Sequence, residues 1–202
     1  GSGGCGRCAS AGRHIAVAIT IGSPGLPGLA AAILFTQDGG DTWSKTHIAG
    51  LTLGSAPSGA ACVGTNLVVI SSADNALFYA PIVDILAGIE TWTKVVTGFV
   101  ATHGPTAIWS NGSAAWITGA LGYIYYTADV ASGVTVQQDG SLTAQTLNAI
   151  AGVDRDNLIA VGASNATLVT RDGGNVWTLL TGPAVGVSLG AVTMITPDRI
   201  MV

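Results

Sequence analysis

The sequence predicts an all-β fold of repeated four-stranded antiparallel units, and three observations in its 202 residues predict it. One eight-residue string occurs twice, as Thr36-Gln37-Asp38-Gly39-Gly40-Asp41-Thr42-Trp43 and as Thr170-Arg171-Asp172-Gly173-Gly174-Asn175-Val176-Trp177, each time between an apolar run and a second short strand. A turn followed by a short apolar strand recurs five times, at Ile15, Leu67, Ala115, Leu158 and Ile200, in steps of 42 to 52 residues. That step is the length of one propeller blade, about 40–50 residues. Finally, no stretch of a dozen residues keeps a 3.6-residue hydrophobic period.

The residue types of the string follow from what a tight strand reversal needs. Asp bonds its own backbone two residues on and makes a turn from a side chain. Gly-Gly supplies positive φ angles. Trp is a large apolar plate that covers the hairpin while its N–H finds a partner. The string resembles the Asp-box, S/T-x-D-x-G-x-T-W, of the sialidase-type β-propellers, also called the BNR repeat. The first copy, with Thr36, Asp38, Gly40, Thr42 and Trp43, fits every position. The second keeps Thr170, Asp172, Gly174 and Trp177 and has Val176 where the family has Thr. The resemblance implies a β-propeller in which these residues are structural hairpins at the rim, remote from any catalytic centre.

Taken in order, the units are blades at about 12–55, 56–103, 104–146 and 147–188, with part of a fifth at 189–202. The first has its apolar strand at Arg13-His14-Ile15-Ala16-Val17, a loop by composition at 22–28, and the first full string; residues 1–12 are poor in regular signals but allow a short first strand. The second reads as strands at about 59–63, 67–71, 76–80 and 91–95, with a worn string that keeps Thr91-Trp92 and a single helical turn at 82–87, too short to propagate. The third keeps Thr127-Ala128-Asp129 and loses the Trp; the fourth carries the second full string. In the fifth, Ile195 and Ile200 belong to an antiparallel pair around a turn at Thr196-Pro197-Asp198, where Pro fits and a central strand would exclude it. Two strands alone are marginal and leave an open edge. The expected architecture is therefore four complete blades plus part of a fifth, a fragment of a larger ring completed by further residues of the chain or by another subunit. Trp43, Trp92 and Trp177 are expected at equivalent, largely buried places.

Composition bounds the partners. Charged residues make up 9% of the chain, against about 25% in average globular proteins, and the net charge is −4. Seven dispersed Lys and Arg give no footprint for nucleic acid. No run of about 18 apolar residues reads as a membrane span. A surface of Ser, Thr, Asn and Gly suits a secreted protein or a subunit packed in an assembly. Of the cysteines, Cys5-Gly6-Arg7-Cys8 reads as two plain thiols or a local disulfide before half a zinc site, whose other candidate ligands are Cys62 and His14. Cys62 reads as a small core residue.

The resemblance to sialidases raises the question of catalysis, since that family implies an arginine trio, a Tyr–Glu pair and an acidic acid/base. Here Arg13, Arg155 and Arg199 mark one repeated turn position, Arg171 lies in a hairpin turn, and Glu90 is the sole glutamate. A glycosidase needs two carboxylates flanking one bond, and most aspartates sit in turns. The expectation is no catalytic, cofactor-binding or metal-binding residue in these positions. His14, His47 and His103 share no ligand spacing. Tyr123 and Tyr125 share one strand face and read as inter-blade core, with a glycan-stacking platform as the functional alternative. The reading is a non-catalytic structural or binding module, of virion or tail type or a secreted surface scaffold, whose partners are protein subunits. The alternatives are a sialidase-like carbohydrate-active enzyme with its site outside these residues, and a factor resembling the photosystem II stability factors, which share Asp-box-like blades but would show an Arg-rich patch.

Overall fold

The computed structural model describes residues 32–38, 40–52, 55–180 and 186–202 in full, and residues 6–10 and 13–20 in the course of their backbone. The loop read at 22–28 and Cys5 lie outside the described residues. Strands β1 (Gly6–Ser10), β2 (Arg13–Thr20), β3 (Ala32–Thr36) and β4 (Ser44–His47) form the first sheet. The second holds β5 (Gly59–Val63), β6 (Asn66–Ser71), β7 (Ala76–Pro81) and β8 (Thr93–Val95). The third holds β9 (Pro105–Ser110), β10 (Ala115–Gly119), β11 (Tyr123–Thr127) and β12 (Thr135–Asp139). The fourth holds β13 (Leu147–Gly152), β14 (Leu158–Gly162), β15 (Thr167–Thr170) and β16 (Thr178–Leu179). A two-stranded sheet of β17 (Thr193–Thr196) and β18 (Arg199–Met201) follows. Every pairing is antiparallel between strands consecutive in sequence.

The second strand of each sheet is the best-marked element in the sequence, and its packing explains why. Side chains alternate across a strand, and here both faces are covered. In β6, Leu67 and Val69 pack toward the first sheet with Ile33 and Phe35, while Val68 and Ile70 pack toward the third with Ala115 and Ile117. In β14, Leu158 and Ala160 face Trp116 and Ile124 of the third sheet, and Ile159 and Val161 face Met194. A strand buried on both faces reads as a continuous apolar run. The core is thus a series of inter-sheet layers, each sheet holding only its neighbours.

The third and fourth sheets repeat with one constant offset. The pairs Ala115↔Thr127, Trp116↔Tyr126 and Ile117↔Tyr125 reappear 43 residues later as Leu158↔Thr170, Ile159↔Val169 and Ala160↔Leu168. In the second sheet the short helix α1 (Ile82–Leu86) replaces the tight hairpin between β7 and β8, burying Ile82 and Ile85. The fourth strand there starts at Thr93, two residues later than the sequence suggests, because the Thr91 hydroxyl donates to Asp84 Oδ2 at 2.6 Å and stays with the helix.

Candidate functional site

The two full strings fold as hairpin turns built around a Thr–Asp pair. In the first, the Thr36 hydroxyl donates to Asp38 Oδ1 (2.7 Å) and accepts the Gly40 N–H (2.9 Å). Asp38 accepts the Thr42 N–H (3.0 Å) and the Thr42 hydroxyl (2.5 Å). Hydrogen bonds from Thr36, then from Thr42, hold the Asp38 carboxyl well below the usual carboxylate range. In the second, Thr170 donates to Asp172 Oδ1 (2.8 Å) and accepts the Gly174 N–H (2.9 Å), and Asp172 accepts the Val176 N–H (2.9 Å). Val176 has no hydroxyl, so one bond of the first turn has no counterpart. The third unit departs further: Asp129 accepts from Ala131 N (3.1 Å) and Ser132 Oγ (2.6 Å), and the buried Thr127 hydroxyl has no partner among the described residues.

The second hairpin leans back on the unit before it. The Gly173 carbonyl accepts the indole N–H of Trp116 and the side-chain amide of Gln137, both at 3.0 Å, from the third sheet. Trp177 is consequently buried at 7% exposure. Trp92 is half-buried against the layer between the first two sheets. Trp43 departs from the expectation of burial: it is 48% exposed, its indole N–H donating to Gly40 O at 3.1 Å within its own turn. The same string gives opposite burial because no preceding unit stands before the first sheet among the described residues.

The tyrosine platform is also corrected. Tyr125 is fully buried, its ring 4.9 Å from Phe99 and its hydroxyl donating to His103 O at 2.9 Å. Burial pushes its phenol up to about 12. Tyr123 is half-buried with His103 4.2 Å from its ring. The strand face they share points into the layer between two sheets, and Tyr125 has no surface left for a sugar.

A concave site lies where the innermost strands converge. β5, β9 and β13 each sit at the edge of their sheet and frame a cavity of about 740 Å³ that residues 190–192 also line. Its described wall is uncharged and largely of small side chains, among them Ala60, Thr106, Ala107, Asn148 and Ala149, with the indole of Trp109 set among them. Neighbouring inner strands are tied across the blade boundaries: Gly64 N donates to Gly112 O (2.7 Å), Ser110 Oγ to Cys62 O (2.7 Å), the Thr106 hydroxyl to Leu147 O, and Asn148 Nδ2 to Leu189 O (3.0 Å). Trp109 lies over β13, where a Cβ on Gly152 would stand 2.9 Å from the indole, so that position needs glycine. Among the described residues no lining side chain is ionisable except that of Cys62, and Cys62 is disulfide-bonded. That bond corrects the reading of Cys62 as a plain core thiol; its partner sulfur lies outside the described side chains.

Glu90 and the described arginines sit elsewhere; the side chains of Arg13 and His14 lie outside the described residues. Glu90 accepts the His47 backbone N–H at 3.0 Å and joins the first two sheets. Arg171 pairs with Asp198 at 3.2 Å on the surface, and Arg155 and Arg199 are exposed. Among the described residues no group of three or more His, Cys, Asp and Glu is placed to hold a metal, and no helix is long and apolar enough to cross a membrane.

Sequence reasoning missed two features. The Gly119-Ala120-Leu121-Gly122 turn and its counterpart Gly162-Ala163-Ser164-Asn165 join second to third strand with left-handed residues at Leu121 (φ 54°) and Ser164 (φ 52°). The repeated Gly-Ala at the constant offset was the available signal. The cavity wall itself had no signal beyond small residues in first strands.

No protein-family model matches this chain, and no curated protein matches it in sequence. Its structure is similar to several solved structures. YCF48 from Cyanidioschyzon merolae is 17% identical with a TM-score of 0.63 over 92% of this chain and 62% of that one. A structure of YCF48 bound to a D1 peptide is 14% identical with a TM-score of 0.64, over 93% and 55%. The GH74 enzyme of Niastella koreensis is 15% identical with a TM-score of 0.58 over 82% and 27%. The β-propeller domain of Cps50 (Swd1) from Myceliophteria thermophila is 10% identical with a TM-score of 0.58, over 93% and 61%. The chain spans less than two thirds of the length of each. At these identities the likeness speaks for the fold, and with the sheets described above it makes this chain a run of β-propeller blades.

Proposed function

We propose that this chain is a non-catalytic binding module that holds an extended, uncharged protein segment in the cavity framed by β5, β9 and β13. The observation that carries the reading is the described wall of that cavity: edge strands with many small side chains, hydrogen-bonding groups at Thr106, Ser110, Asn111 and Asn148, and, among the described residues, no carboxylate, imidazole or amine. Edge backbone and neutral side chains recognise a polypeptide through main-chain hydrogen bonds. The acid/base pair that glycoside hydrolysis requires has no candidates among the described residues of this wall. The structure of YCF48 with a D1 peptide supports peptide binding by this architecture and favours, as a second reading, a photosystem-type assembly factor. The charge-poor composition supports placing the module in an extracellular or virion assembly, and the two strings support Asp-box blades.

The test is calorimetric titration with a panel of uncharged extended peptides and neutral oligosaccharides, on the wild-type chain and on Ala149→Trp, which fills the cavity. Peptide binding should weaken at least about tenfold in the variant, about 1.4 kcal/mol, and should change little with salt because few charges meet. Peptide binding that Ala149→Trp leaves intact, or glycoside turnover by the wild-type chain, would overturn the reading.

A further inference from the structure

Cys62 is disulfide-bonded, and the chain has three cysteines, so its partner is Cys5 or Cys8. Cys8 lies in β1, Cys5 immediately precedes that strand in sequence, and β1 neighbours β5 across the boundary between the first two sheets. Cys62 sits in β5 and packs against the layer that holds Ile33, Phe35 and Leu67, on the side of the first sheet. The bond therefore joins the start of the first sheet to the inner edge strand of the second, more than fifty residues away in sequence.

Toward the third sheet β5 is held by hydrogen bonds, from Ser110 Oγ to Cys62 O and from Gly64 N to Gly112 O, both at 2.7 Å. Toward the first sheet the Cys62 bond holds it. Other ties between the first two sheets lie away from β5. Glu90 accepts the His47 N–H from β4, and Asp74 accepts the Thr52 hydroxyl from the connection that follows. Breaking the Cys62 bond thus loosens β1 and leaves β4 in place.

The CxxC pair has a second bonding choice, and β1 decides between the two. A disulfide needs its Cα atoms about 4.4–6.8 Å apart. A strand rises about 3.3 Å per residue, so cysteines three residues apart along one stand about 10 Å apart. Gly6 and Arg7, the residues between Cys5 and Cys8, both belong to β1. While β1 is paired, a Cys5–Cys8 bond does not fit and a bond to Cys62 does. Once β1 leaves its sheet, Gly6 can turn and the local bond closes at the spacing used in dithiol exchange motifs.

We infer that Cys5, Cys8 and Cys62 form a thiol–disulfide exchange unit that clasps the first sheet to the second while β1 is paired and releases it by moving the bond into the Cys5–Cys8 pair. In that step the thiolate of the cysteine outside the bridge attacks the sulfur of its CxxC neighbour. One S–S bond forms, the S–S bond to Cys62 breaks, and Cys62 leaves as a thiolate that takes up a proton; no oxidant or reductant is consumed. Cys62 is half-buried and lines the inner-strand cavity, so its leaving thiolate forms at a wall that solvent reaches.

The experiment uses the 202-residue chain. Trypsin cleaves after Arg7, Arg13, Lys45 and Lys94 and puts Cys5, Cys8 and Cys62 on three different peptides, 1–7, 8–13 and 46–94. Thiols are blocked with N-ethylmaleimide, and the digest is read by mass spectrometry without reduction. Under native conditions, peptide 46–94 should be linked to one of the two short peptides. At a pH near 8.5, where thiolate is present, and at a urea concentration that loosens the first sheet, peptides 1–7 and 8–13 should become linked to each other and Cys62 should carry the blocking group. Dilution from urea before blocking should restore the first pattern. Cys62→Ser should speed amide exchange in β1, β2 and β5 at least about tenfold and leave β10 and β14 unchanged, because the bond closes a long loop that joins only the first two sheets. If that variant does not fold, the native chain reduced with dithiothreitol gives the same readout. A blocked Cys62 in the native chain, a Cys62 bond that never moves to the pair in urea, or exchange in β1 and β5 indifferent to the bond would each overturn the proposal. No readout uses a peptide ligand, so the outcome is independent of what the cavity binds.

Discussion

One hydroxyl organises the rim turn more than the aspartate that marks it. Thr170 is buried at 3% exposure, donates to Asp172 and accepts the N–H of Gly174, a residue whose φ of +93° only glycine adopts readily. Thr170→Val keeps the shape and removes the acceptor, leaving a buried N–H unpaired at a cost of about 1–3 kcal/mol. Urea denaturation should show that loss, and Thr170→Ser should recover most of it; equal midpoints for Val and Ser would mean the Gly174 N–H finds another partner. Asp, Gly-Gly and Trp could be read from the string because each has one chemical reason to be there. The burial of Trp43 could not, because the indole of one unit is covered by its predecessor, and that relation is not encoded in the string. Tyr125 is similar: alternation assigns it a strand face, but when both faces are covered the face does not say whether a ring is free.

At the scale of elements, turns between second and third strands hold units together and were the least legible part of the sequence. In the second unit this turn carries Asp74, whose carboxylate has no exposed side-chain surface and accepts from Lys94 Nζ (2.8 Å), Thr52 Oγ1 (2.6 Å) and Ser71 Oγ (2.7 Å). It ties the connection from the first sheet to β6 and β8, elements distant in sequence, which no local pattern announces. Burial pushes this carboxyl up, but bonds from Lys94, Thr52 and Ser71 outweigh it and bring it to about 2, against 3.8 for a free carboxyl. Its stabilising contribution is therefore complete above 3.8 and fades as pH falls toward 2. The stability gap between wild type and Asp74→Asn should be widest near neutral pH and close over that interval in denaturant titrations; a constant gap would assign the effect to packing. In the third unit the turn uses Leu121 at φ 54° with 45% of its surface exposed. A left-handed conformation costs an ordinary residue about 1–2 kcal/mol, and Asn tolerates it better. Leu121→Asn should raise the melting temperature by roughly 2–4 °C per kcal/mol recovered. A fall instead would show that the exposed leucine makes contacts worth more than the strain.

Across the whole molecule the period was legible because every unit repeats the same doubly covered strand, while the number of units in a closed ring has no local signature in any one of them. A structure in which each sheet contacts only its neighbours behaves as a one-dimensional array, with stability set by each interface. The interfaces here are unequal. β6 has five of its six residues buried, β10 and β14 are buried throughout, and both lie between two sheets. β17 and β18 bury only Met194 and contribute to a layer with Ile159 and Val161 on one side alone. Local opening draws on the regions with the fewest buried apolar contacts. Amide hydrogen exchange should therefore be fastest in β17–β18, intermediate in β15–β16, and slowest in β6 and β10. Uniform protection across all five sheets would show a single cooperative unit instead.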